Sequence, residues 1–130
     1  EQKKETLEHR DYVQEMQVET AKDGYQFTFV IADIAGYEGE NSINQTLYHV
    51  QADSLAMAAD LYQRENERQL DFGHMKQIAA DMTGQEIHPL LLELGHRSGI
   101  SKSIPVMMET DGAKYILREM IKAAYGRENL

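Results

Sequence analysis

The sequence contains no cysteine in 130 residues, which excludes a disulfide framework, a thiolate nucleophile and a cysteine-based zinc site. It has no tryptophan and two prolines. Leu90 to Leu92 and the other apolar runs stop far short of the ~20 residues that a membrane-spanning helix needs, so no membrane partner is expected. No charged-then-apolar leader opens the chain, and the expected location is therefore cytoplasmic, although Glu1 in place of Met also fits processing from a longer precursor. The most informative absence is of positive charge: between Lys22 and Arg64 there is no Lys or Arg, while Asp23, Asp33, Glu38, Glu40, Asp53 and Asp60 all fall there. With a net charge of −9, the chain is a poor candidate for nucleic acid, whose phosphates demand Lys and Arg to replace counterions.

What is present reads as one domain over residues 1–130, long enough to bury about two thirds of its unfolded surface without staples. Residues 1–11 form a charged lead-in. Met16, Val18 and Thr20 alternate into the turn Ala21-Lys22-Asp23-Gly24, and Tyr25, Phe27, Phe29 and Ile31 resume the period of two, the pattern of a hairpin. A glycine-containing loop from Asp33 to Ser42 leads to a third strand over 45–52, with Tyr48 and Val50 inward. Asp53 or Ser54 caps a helix over about 55–70 that buries Leu55, Ala58, Ala59 and Tyr62. The predicted fold class is α+β: a three-stranded antiparallel meander over 12–70, covered by helices.

Residues 71–130 read as a helical part. The spacing of Met75, Ile78, Ala79 and Met82 predicts a second helix over about 73–82, stopped by Thr83-Gly84, and Pro89 opens a short helix carrying Leu90, Leu91, Leu92 and Leu94 to Gly95. Ile104 to Met108 reads as a short additional edge strand because of Pro105. A last helix from Thr110 or Asp111 to Tyr125 has Ala113, Ile116, Leu117, Met120 and Ala124 inward. Lys114, Arg118 and Lys122 then form a basic line on its other face. Helix, three antiparallel strands and helix is also the element order of double-stranded RNA-binding domains, but Asp53-Ser54-Leu55 stands where their basic helix start would be, and element order alone carries no function.

No motif fixes a reaction. His9-Arg10-Asp11 and Asp71-Phe72-Gly73 imitate kinase signatures without a nucleotide loop. Gly95, Gly99, Lys102 and Ser103 lack the Gly-Lys-Ser adjacency of a phosphate loop, which leaves Arg97 and Lys102 as candidate anion-binding residues. The Asp33 loop misses the EF-hand register, and His74, His88 and His96 make no i, i+4 pair, so neither a metal nor any other cofactor is expected. Ser98, Ser101 and Ser103 near His96 form no nucleophile elbow. Glu93 is the one carboxylate set in an apolar run.

No catalytic residue is assigned, and an enzyme is the less favoured class. The expected function is a non-enzymatic protein–protein interaction module, a small accessory or structural subunit. Its partner is another protein or a second copy bound head to tail. The candidate contact residues are Asp33, Glu38 and Glu40 on the acidic side, Lys114, Arg118 and Lys122 on the basic side, and Met107 and Met108, whose pliable side chains suit an adaptable surface. Two alternatives stand beside it: an acidic nucleic-acid mimic that inhibits a basic protein, and a small enzyme built on Glu93 and the His88/His96 region.

Overall fold

The computed structural model describes residues 10–33 and 44–128. In chain order the elements are β1 (Arg10–Ala21), β2 (Gly24–Asp33), β3 (Asn44–Ala52), α1 (Leu55–Asn66), β4 (Gln69–Asp71), β5 (Gln77–Asp81), α2 (Gly84–His96), β6 (Pro105–Met108), β7 (Ala113–Ile116) and α3 (Leu117–Glu128). The fold is α+β, but the expected three-stranded antiparallel meander is overturned. The seven strands form one mixed sheet in the order β3-β2-β1-β5-β6-β7, with β4 also paired to β1. The three strands expected from alternation make up one side of it.

The hairpin of β1 and β2 closes at Ala21 opposite Gly24, and Gly24 has φ of +114°, where a Cβ would also lie 2.7 Å from the Ala52 carbonyl oxygen. Glycine is required there on both counts. Strand β1 carries a bulge at Gln14, between the pairs Val13–Ile31 and Glu15–Val30. The extra residue lets Val13 and Met16 both reach the core although they are three positions apart, a spacing that a regular strand would place on opposite faces. The freed Gln14 carbonyl accepts from the Lys76 amide at 2.8 Å.

The free side of β1 then takes two parallel partners in succession, β4 along Arg10–Tyr12 and β5 along Glu15–Glu19. The sequence reading fails here. Residues 77–81 are a strand, not part of a helix over 73–82, and Ile78 and Ala80 point to the core while Ala79 lies opposite. Thr83 does not stop a helix but starts one: its Oγ1 accepts from the Glu86 amide at 3.1 Å and the Glu86 carboxylate accepts from the Thr83 amide at 2.9 Å, a capping box. Helix α2 therefore runs from Gly84 through Pro89 to His96 rather than from Pro89 to Gly95.

The C-terminal part also departs from the expected elements. Strand β6 is not an edge strand, since β5 and β7 flank it, and Pro105 stands at its first residue. The stretch from Ala113 to Ile116 is β7, not helix, and Ile116 is exposed rather than inward. Lys114 thus lies on a strand while Arg118 and Lys122 lie on α3, so the expected three-residue basic line on one helix does not form. Arg10 and Asp11, placed in the lead-in, begin β1.

All three described helices cover one face of the sheet. Leu55, Ala58 and Tyr62 of α1, Ile87, Leu90 and Leu94 of α2, and Leu117 and Ala124 of α3 join one apolar cluster with Val13, Met16, Phe27, Phe29, Ile78 and Val106 from the strands. Val30 and Ala79, though buried, stand outside that cluster because they face the other way. Among the described residues the result is two layers, with helices on one side of the sheet and no described element on the other, called the bare face below.

Candidate functional site

Strand register builds the bare face row by row. His49, Thr28, Gln17, Ala79, Met107 and Lys114 follow one another across β3, β2, β1, β5, β6 and β7. One pair along, the row is Gln51, Gln26, Glu19 and Asp81. On the other side it is Leu47, Val30, Glu15 and Gln77. The amide of Glu109 bonds the Ala80 carbonyl at 2.9 Å and so brings this residue in line with Asp81 just beyond β6. A shallow cavity of about 200 Å³ opens here, lined by Gln17, Glu19, Gln26, Thr28, Ala79, Asp81 and Glu109 among others.

The surface is amide and carboxylate. Thr28 Oγ1 and His49 Nδ1 are 2.9 Å apart, Gln45 Nε2 donates to Gln14 Oε1 at 2.8 Å, and Gln17 Nε2 donates to Glu15 Oε2 at 3.2 Å. Strands β2, β3, β5 and β6 contain no Lys or Arg at all, and the only such residue of β1 is Arg10 at its start. Arg10 is taken up by Asp71 at 3.0 Å. The face is therefore acidic at its centre, with Lys114 as its cation at the β7 side. Among the described residues no group of three or more His, Asp or Glu side chains is placed to hold a metal. Chemically the face offers acceptors for cationic and amide groups.

The residues singled out in the sequence are scattered. Glu38 and Glu40 lie outside the described residues, and Asp33 ends β2. Met108 is buried in the core, which leaves the half-buried Met107 as the methionine on the bare face. Lys102 turns its ammonium onto the carbonyls of Arg97 and Ile100 at 2.8 and 2.9 Å. The Arg97 guanidinium lies 5.3 Å from the centre of the Phe72 ring, a cation–π contact. Glu93 spans the layers: its two carboxylate oxygens accept from the Leu55 and Ala56 amides at 2.9 and 2.8 Å, capping α1 alongside Ser54, whose Oγ accepts from Met57. His96 Nδ1 sits 2.6 Å from the Tyr125 hydroxyl.

Residues 3–122 match the spore germination protein N-terminal domain. The chain belongs to that family. No curated protein and no solved structure gives a match. In this germination domain no described helix is long and apolar enough to cross a membrane.

Four acids of the bare face, Glu15, Glu19, Asp81 and Glu109, were not singled out by the sequence reading. The signal for two of them was available, since Glu15-Met-Gln-Val-Glu19 alternates outward acids and amide with inward Met16 and Val18. Asp81 was hidden once 73–82 was read as helix.

A second polar cluster lies at the start of β1. Arg68 Nε donates to Asp11 Oδ1 at 2.6 Å, the Tyr62 hydroxyl donates to Asp11 Oδ2, and Arg10 meets Asp71. The Gly73 amide, first, and then Arg10 hold the Asp71 carboxyl below its usual range. Burial, and then the Asp11 carboxylate, push the Tyr62 phenol up. These contacts tie β1, β4 and α1 together, and among the described residues the buried Arg10 Nε finds no hydrogen-bond partner.

Proposed function

We propose that this germination domain is a non-enzymatic docking module whose sheet face opposite the described helices receives a basic protein surface. The observation that carries the proposal is the row structure of that face: Glu15, Glu19, Asp81 and Glu109 share one surface with glutamines, and strands β2, β3, β5 and β6 contribute no Lys or Arg to it. Complementary charge of this kind sets encounter rate and partner choice more than raw affinity. Among the described residues no element covers that face of the sheet, which suits it to a partner. Membership of a spore germination family supports an interaction role in that process, and Glu93, the centre of the enzymatic alternative, is occupied with capping α1. The cytoplasmic location expected from the sequence draws no support from this membership.

The test is to replace Glu15, Glu19, Asp81 and Glu109 with Gln in the full-length protein and to measure spore germination beside thermal melting. The expected outcome is slower germination with an unchanged melting curve, whereas Gln at the exposed Glu67 and Glu119 leaves both unchanged. Normal germination in the four-residue variant would overturn the reading.

A further inference from the structure

We infer that β3 is a strand-addition site for a basic extended segment of a partner protein; the inference rests on the docking-module reading above and names the class of partner. Among the described residues β3 pairs on one side only, with β2, and it forms one end of the sheet order. Its nine residues, Asn44–Ala52, contain no Lys, Asp, Glu, Arg or Pro, and its register against β2 runs without a bulge. Edge strands are normally protected against pairing by such charges, prolines or bulges, and this one has none of them. Leu47, 56 % exposed, stands at its middle.

The helix layer next to this edge supplies the second half of the site. Glu65 accepts from the Tyr48 hydroxyl at 2.8 Å, which fixes that flank of α1 on the β3 side. Met57 and Leu61 precede Glu65 at intervals of four on the same flank, and Met57 is 45 % exposed. A strand added to β3 would therefore place alternate side chains beside Tyr48 and under this flank, as strand addition requires: backbone ladder for affinity, alternate side-chain positions for selectivity.

Charge selects the occupant. Asp53 follows the end of the strand and Glu65 overlooks its middle, while Arg64 beside Glu65 on α1 is held by Asp60 at 2.7 Å. A second copy in an antiparallel two-fold seam would bring Glu65 toward its own counterpart in a molecule of net charge −9. A strand carrying Lys or Arg between apolar residues fits instead.

The probe is a nine-residue peptide alternating Lys with Val and Ile, compared with the same peptide carrying Pro at two central positions, which keeps the charge but cannot complete a ladder. Binding to the intact chain is followed by amide hydrogen exchange and by titration. The expected result is at least tenfold tighter binding of the first peptide, new protection confined to β3 amides, and at least tenfold loss in Leu47→Lys/His49→Lys, two exposed positions whose change leaves the core untouched. Equal binding of both peptides, or protection on the β1 and β5 rows instead of β3, would overturn strand addition while leaving the acidic-face reading standing. Sedimentation showing a dimer that the peptide dissociates would overturn the basic occupant in favour of a second copy.

Discussion

Single side chains in this domain join the two layers. Glu93 reaches from α2 to the first two amides of α1, so a carboxylate that looked like a candidate acid in sequence is a helix cap supplied from another element. Charge on such a cap interacts with the orphan amides and with the helix dipole, and Glu93→Gln should cost about 1–2 kcal/mol in urea denaturation while leaving docking intact. Loss of function at unchanged stability would return Glu93 to the enzymatic alternative. Tyrosines supply the second test at this scale. Burial, and then the hydrogen bond to Glu65, push the Tyr48 phenol up from 10.0 to about 12, and burial likewise raises Tyr62 and Tyr25. The folded state thus favours the neutral phenols; their contribution to stability is complete below pH 10 and is lost as pH rises toward 12. Absorbance titration at alkaline pH should show part of the tyrosinate signal appearing only together with unfolding, and Tyr48→Phe should move that unfolding to higher pH.

The elements differ in how legible they were. The β1–β2 hairpin, β3 and the start of α1 could be read because their cues are local: alternation, Asp23-Gly24, and Ser54 before Leu55. Residues 77–81 could not, because in Gln-Ile-Ala-Ala-Asp the central outward position is Ala79, as apolar as the inward Ile78 and Ala80, and so short a run shows too little alternation to distinguish it from a helix. That error displaced the start of α2, although Thr83-Gly-Gln-Glu86 is a capping box in plain sequence. Lys114 to Ile116 failed for a related reason, since a four-residue strand leading directly into a helix offers no break between two periodicities. Two substitutions probe α2. Thr83→Ala removes one side of the capping box and should cost about 1 kcal/mol. Gly95→Ala should cost more, about 1–3 kcal/mol, because the added Cβ would lie 2.5 Å from the Tyr125 ring that packs α3 against α2. Equal melting temperatures for the two variants would contradict this view of the α2–α3 contact.

At the scale of the whole molecule, composition announced the acidic charge and periodicity the α+β class, and the sheet order stayed out of reach. The parallel neighbours of β1 are 48 or more positions away in sequence, and no local signal specifies such pairs. For the same reason the acidic face was visible only as a deficit of Lys and Arg, with its members on β1, β5 and beyond β6 hidden until register aligned them. The claim that this face, and not the helix layer, meets a partner is open to one direct measurement. A photo-reactive residue is placed at Gln26 on the bare face or at Gln85 on the exposed surface of α2, each in the full-length protein within spores. The account predicts a discrete cross-linked product from position 26 that disappears when Glu15, Glu19, Asp81 and Glu109 are neutralised, and none from position 85. A product from position 85 alone, or one from position 26 indifferent to the four acids, would contradict it.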